Sequence, residues 1–277
     1  MQTGTRNLRR LSTFMVPPLL LPTKVSMKPI LLSLLAAALL TSPLLAQQTP
    51  PAQQAAPAQQ AAPKPETDWA KLARYAPANQ QLAAPVAGTP RVVLLGNSIT
   101  DAWPTTDPAF FAGKPYELIG RGISGQTSPQ MLVRFRQDVL ELRPVVVAIL
   151  AGANDIAENT GPYDQHATLN NIISMAELAR ADGVRVVLCS VLPAADFWWR
   201  KGLNPAPKIV ALNEQIKAYA RQQHFVYLDY HKAMADERLG LPVAYATDGV
   251  HPTLAGYQVM EPLLQKAVAE ALKQKQK

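Results

Sequence analysis

The sequence predicts an α/β protein, a parallel β-sheet covered by helices on both faces. Two features carry this expectation. Short apolar runs alternate with segments of helical spacing along most of the chain. The apolar runs are also continuous, as in strands that are buried on both sides, and do not alternate with polar residues. In such sheets the functional residues gather beyond the carboxyl ends of the strands. Polar, chemically capable residues should then follow the strands directly.

The elements are read in chain order. Residues 27–46, MKPILLSLLAAALLTSPLLA, place a basic residue before an apolar run, Ile30–Leu40, and end in small residues. That is the layout of a secretory signal peptide, with Met27 a candidate start, and it implies a secreted or periplasmic protein. The apolar run is shorter than the roughly 20 residues a membrane span needs, so no stable span is expected after cleavage. No cysteine follows it to take a lipid. Residues 47–66 are glutamine, alanine or proline at 17 of 20 positions, with PAQQAA repeated in tandem at 51–56 and 57–62. Such a segment cannot bury a core and reads as a tether. The folded domain is expected over 67–277.

Within it, Arg91–Gly96 reads as the first strand, β-branched and ending in glycine. Tyr116–Ile119 is the second. Ser128–Leu142 has helical spacing, with Met131, Leu132, Phe135, Val139 and Leu142 on one side, and Pro144 ends it. Val145–Ala151 is the third strand. Tyr163–Asp182 is helical and stops at Gly183. Val184–Val191 is the fourth strand and Ile209–Gln222 a further helix. Phe225–Leu228 is the fifth strand. Thr253–Lys273 is the last helix, with a bend expected at Pro262.

The formal charge of +7 does not point to nucleic acid. Residues 1–46 hold Arg6, Arg9, Arg10, Lys24 and Lys28 and no acid, and 27 basic residues less those five leave 22 against 20 acidic. No basic stripe interleaves with aromatics, so no nucleic-acid partner is expected. The one cysteine, Cys189, lies in an apolar run and reads as a core residue. His166, His224 and His231 lack metal-ligand spacing, and neither a metal nor a cofactor is expected.

Four polar clusters follow the strands or precede the last helix. Gly96-Asn97-Ser98 ends the first strand and puts Ser98 where a helix begins. There it either caps the helix or serves as a nucleophile beside outward-facing N–H groups. Gly122-Ile123-Ser124-Gly125-Gln126-Thr127 follows the second strand, either as a plain turn or as a loop that lets a ligand come close to the backbone. Gly152-Ala153-Asn154-Asp155 follows the third, where Asn154 can turn its amide toward developing negative charge or simply cap a helix. Asp248-Gly249-Val250-His251 precedes the last helix. An aspartate three residues before a histidine can orient it across a turn, and the same four residues can equally form a polar turn.

The four clusters in this order resemble the blocks of the SGNH (GDSL-type) hydrolases, from about Arg91 to Ala271. The resemblance implies a doubly wound, flavodoxin-like fold with a five-stranded parallel sheet in three layers. It implies a serine acyl-enzyme mechanism with Ser98 as nucleophile, His251 as base and Asp248 as its orienting partner. The oxyanion hole would be the N–H groups of Ser98 and Gly125 and the side chain of Asn154. The family's first block usually reads Gly-Asp-Ser; here position 97 is asparagine. Asn97, Trp198 and Trp199 are candidate substrate contacts; the tryptophans, which follow the fourth strand, either wall a pocket against a sugar ring or an acyl chain or simply pack a loop. The expected substrate is a small-molecule or carbohydrate ester carrying a short acyl group, acetyl first. Lysophospholipase- or thioesterase-type acylhydrolysis and a non-catalytic carbohydrate-binding module of the same fold are the alternatives. A nucleotide-binding protein is disfavoured, since no glycine-rich phosphate loop follows the first strand.

Overall fold

The computed structural model describes residues 67–274. The expected leader (1–46) and tether (47–66) lie outside the described residues. Five strands form one parallel sheet in the order β2-β1-β3-β4-β5. They are β1 Arg91–Gly96, β2 Glu117–Gly122, β3 Val146–Ile149, β4 Arg185–Cys189 and β5 Val226–Leu228. The helices are α1 Ala76–Gln81, α2 Ser98–Thr106, α3 Ser128–Asp138, α4 Ala153–Ile156, α5 Gln165–Ala181, α6 Pro205–Gln223, α7 Tyr230–Met234 and α8 Leu254–Lys273.

The period of two along each strand divides the core into two halves. Val93 and Leu95 of β1, Val147 and Ile149 of β3 and Val186 and Leu188 of β4 pack with Met131 of α3, Ile172 of α5 and Ile209 of α6. Val92, Leu94, Val146, Ala148 and Val187 face the other way, onto Trp103 of α2 and Met260 of α8. The result is three layers with helices on both sides, as the continuous apolar runs predict. Each buried Val, Leu or Ile contributes roughly 1.5–3 kcal/mol, so both faces hold the sheet firmly. Cys189 lies in the second half of the core, and burial pushes its thiol pKa up. Among the described residues, no helix is long and apolar enough to cross a membrane.

The chain leaves β1 for β2 on one side and later returns to place β3 on the other. The crevice at this reversal is where such sheets hold ligands. Ser98 follows β1 there directly.

Element ends differ from the sequence expectation for physical reasons. β2 runs on to Gly122, because Gly120, Arg121 and Gly122 pair in register with Leu94, Leu95 and Gly96, although Gly122 reads as the start of the following turn. α3 stops at Asp138, and a 3-10 turn, Leu140–Leu142, completes the segment up to Arg143 in the left-handed region. α6 begins four residues early, with Pro205 at its first position. There the missing N–H has no cost.

A segment before β1 has no counterpart in the apolar pattern. Residues 67–82 form a strap held by polar side chains. Gln126 Nε2 donates to the Ala70 carbonyl (2.7 Å), Gln130 Nε2 to that of Trp69 (2.7 Å) and Gln137 Nε2 to that of Leu72 (2.8 Å). Gln130 and Gln137 are seven residues apart and therefore share a side of α3. The Tyr75 hydroxyl donates to the Gly122 carbonyl.

Behind the crevice, Arg134 is fully buried. Its Nη2 donates to the Gly96 carbonyl (2.9 Å), its Nη1 to the Arg121 carbonyl (2.9 Å) and to Asp138 Oδ2 (3.2 Å), and its Nε to Gln126 Oε1 (2.6 Å). Burial lowers its pKa, and Asp138 beside it works in the opposite direction. Arg134→Met keeps the bulk but leaves the buried Asp138 carboxylate without its cation and takes a donor from the Arg121 and Gly96 carbonyls, the latter still accepting from Ile123 N at 3.2 Å. It is expected to cost about 3–5 kcal/mol, read as a lower urea midpoint at unchanged m-value.

Candidate active site

The first turn of α2 is built around a close contact. A Cβ at Gly122 would lie 2.1 Å from the Asp101 nitrogen and 2.7 Å from the Asn97 oxygen, so only glycine lets β2 approach this turn. Asn97 caps α2, its Oδ1 accepting from the Ile99 N–H at 3.4 Å. Asn97 is buried at 2 % exposure. Its side chain is turned into the protein to hold the helix start.

Ser98 opens α2. Its Oγ lies 2.9 Å from His251 Nε2, and His251 Nδ1 lies 2.7 Å from Asp248 Oδ2. Asp248 Oδ1 also accepts from the N–H groups of Val250 (2.9 Å) and His251 (2.8 Å). The turn between the two residues is therefore fixed by the same carboxylate that orients the ring. Burial acts to raise the Asp248 pKa, but the bonds from the His251 side chain and the two backbone N–H groups outweigh it and hold the carboxyl below its usual range. With the ring proton on Nδ1, Nε2 is left to accept from the serine.

The loop after β2 comes to the same place. Gly125 has φ +80°, the left-handed region that glycine occupies at no steric cost. Asp101 holds the loop from α2, its Oδ2 accepting from Ser124 N (3.1 Å) and Ser124 Oγ (2.7 Å). Asn154 at the start of α4 is buried, and its Nδ2 donates to the Gln126 carbonyl at 2.9 Å. An amide nitrogen carries two protons, so one remains to be offered. Asn159 Nδ2 bonds both Asn154 Oδ1 (3.1 Å) and the Gly125 carbonyl (3.1 Å). This orients the Asn154 amide. Asp155, next to Asn154, caps α3: it accepts from Ser128 N at 3.0 Å and Ser128 Oγ at 2.6 Å.

The two candidate tryptophans separate. Trp199 lies beside His251, with ring centroids 6.2 Å apart, and its Nε1 donates to Asn159 Oδ1 at 3.3 Å. Trp198 meets Trp199 edge-on and is 60 % exposed at the rim. The structure thus brings Ser98, His251 and Asp248 into one hydrogen-bonded chain with Trp199 beside it. Gly125 and Asn154 are joined through Asn159, and Asn97 lies beneath. Sequence reasoning missed Asp101, Arg134 and Asn159. The one available signal was Arg134 lying between Met131 and Phe135 on a buried helix side. Among the described residues, no group of three or more His, Cys, Asp or Glu could hold a metal ion.

The pattern of the GDSL-like lipase/acylhydrolase family matches residues 94–259, well over half of the chain. The chain belongs to that family. A solved GDSL-like lipase from Bacteroides thetaiotaomicron is 49 % identical, with a TM-score of 0.70, covering 73 % of this chain and 98 % of its own. A solved Bacteroides fragilis structure is 48 % identical with a TM-score of 0.72, covering 75 % and 100 %. Esterase TesA of Pseudomonas aeruginosa is 30 % identical over 52 % of this chain and 65 % of its own, and the lipoprotein YqeF of Bacillus subtilis is 26 % identical over 46 % and 53 %. The chain thus spans about half to two thirds of these curated relatives. For this GDSL-family member the resemblance read from the four clusters, and the doubly wound fold it implied, are borne out.

The lowered Asp248 pKa sets a pH dependence. The ionised form stabilises the folded state above the unfolded carboxyl's pKa of about 3.8, and that contribution is lost as the pH falls through the lowered folded value. Asp248→Asn is expected to melt lower than the wild type at neutral pH. It should also lose less of its stability on acidification from about pH 6 to 2, measured by circular dichroism melts.

Proposed function

We propose that the protein is a secreted serine esterase that hydrolyses short-chain acyl esters, acetyl first, on a carbohydrate or other small alcohol. The observation that carries this is the hydrogen-bonded chain Ser98–His251–Asp248, with steps of 2.9 and 2.7 Å, at the carboxyl end of β1. His251 Nε2 takes the proton from Ser98 Oγ as the oxygen attacks the ester carbonyl carbon. The carbonyl oxygen becomes an oxyanion, met by the N–H groups of Ser98 and Gly125 and by Asn154 Nδ2. The intermediate collapses, the carbon–oxygen bond to the alcohol breaks, and His251 hands its proton to the leaving alkoxide. Water then attacks the acyl-serine with the same base, releasing the acid and restoring Ser98.

Several features support the roles. Ser98 at the first position of α2 places the positive end of the helix dipole at the oxyanion. Asp248 stabilises the charged imidazole formed in each attack. Trp199 against the ring limits its movement. The apolar run before a small-residue stretch at 27–46 supports secretion. The exposed Trp198 and the amide-rich surroundings favour a polar alcohol and a short acyl group over a long chain.

The test is hydrolysis of p-nitrophenyl acetate, butyrate and octanoate. Acetate is expected to be turned over best. Ser98→Ala should lower kcat by at least about 10⁴-fold with an unchanged circular dichroism spectrum. Asn154→Ala should lower it roughly 10²–10³-fold. Activity in Ser98→Ala near the wild-type level would sink the assignment. Asn159→Ala removes the two bonds that orient the oxyanion donors. A drop in kcat of about tenfold at nearly constant KM is expected, as for a group acting on the transition state alone.

A further inference from the structure

A cavity of about 460 Å³ opens beside the Gly125 loop. Gly125, Ser124, Asn159 and Thr160 line one part of it, and Trp69 and Lys71 of the strap line another. The strap is fixed at this point by a tight turn. Lys71 N donates to the Asp68 carbonyl (2.9 Å), and the Asp68 carboxylate accepts from Leu72 N (2.8 Å) and Ala73 N (2.9 Å). Lys71 itself has φ +53°, a left-handed backbone that a lysine adopts only when its surroundings impose it. The Asp68 carboxylate is thus committed to main-chain groups. Among the described residues, Lys71 forms no salt bridge. Trp69 leaves 43 % of its surface exposed.

The lining has a definite chemistry. Ser124, whose hydroxyl donates to Asp101, and Thr160, bonded to Thr127, present oxygen acceptors, Lys71 a positive charge and Trp69 the face of an indole, while the Asn159 amide is committed to Gly125 and Asn154. One aromatic face gives an acyl chain no enclosing apolar wall, whereas a ring with hydroxyls and a negative charge meets a partner on each side. The cavity shares Gly125 with the proposed oxyanion loop. Asn159 bonds the Gly125 carbonyl and accepts from Trp199, which lies against His251.

We propose that this cavity is the subsite for the alcohol portion of the ester, and that the alcohol is a saccharide bearing a carboxylate, an acidic sugar. Trp69 is the platform for the ring and Lys71 the counter-ion for the carboxylate. This deepens the esterase reading and rests on it.

The experiment compares kcat/KM for O-acetylated oligogalacturonides and O-acetylated neutral xylo-oligosaccharides of equal length. p-Nitrophenyl acetate reports on the wild type in parallel. The wild type is expected to favour the acidic substrate, and added salt should shrink that preference. Lys71→Ala should lower the acidic-to-neutral ratio about fivefold and remove its salt dependence, and Lys71→Glu should invert it. A general loss of structure would move both substrates alike and leave the ratio unchanged. Turnover of p-nitrophenyl acetate with no acidic preference, or with a ratio indifferent to Lys71→Glu, overturns the subsite alone. No turnover of any ester by the wild type overturns the esterase reading and this proposal with it.

Discussion

The Arg134 guanidinium lies at the meeting point of three pieces of chain. It takes the Gly96 carbonyl from the end of β1, the Arg121 carbonyl from the end of β2 and the Gln126 side chain from the loop beyond β2. The Gly96 carbonyl also accepts from Ile123 N at 3.2 Å, and a buried carbonyl left unpaired would cost about 1–3 kcal/mol. A planar group with five fixed donors satisfies several at once and sets their spacing. Ser98 follows Gly96 by two residues and Gly125 precedes Gln126 by one. The distance between the candidate nucleophile and the candidate oxyanion loop is therefore set from behind by one side chain that never meets substrate.

Two shorter struts complete what Arg134 begins. Asp101, one turn after Ser98, holds Ser124 by its N–H and hydroxyl, so the serine helix and the glycine loop shift together or not at all. On the other side Asn159 joins Gly125, Asn154 and Trp199. The site is open, with Asp248 and His251 each about one third exposed. An open site draws little precision from packing, and hydrogen bonds between short polar side chains supply it instead. That explains why so many asparagines, serines and aspartates crowd this edge of the sheet.

The same distinction decides what the sequence made legible. The five strands, the long helices and the order of the four clusters follow from apolar periodicity and from where polar residues interrupt it. Both depend on neighbours along the chain. Arg134, Asp101 and Asn159 act on backbone and side-chain groups brought near only by folding, and beyond the place of Arg134 on a buried helix side no local pattern marks them. The strap escaped for the same reason. Its hold on α3 runs from glutamine side chains to its own carbonyls, which leaves residues 67–82 without an apolar stripe. β2 extends past the expected Ile119 because the glycine at 122, which reads as a turn residue, instead makes room for the Asn97–Asp101 turn.

Asn97 is the one departure from the family's usual first block, and the structure gives it a physical reading. The residue is buried at the N-terminus of α2, and its side-chain oxygen accepts from the helix backbone. Asparagine and aspartate cap a helix about equally well, so the fold loses nothing by the exchange. The electrostatics differ. A buried carboxylate one residue before Ser98 would oppose the oxyanion, which gathers beside the same N–H groups. A neutral amide leaves the positive end of α2 facing the proposed oxyanion without that opposition. The substitution therefore keeps the cap and removes a negative charge beside the proposed nucleophile.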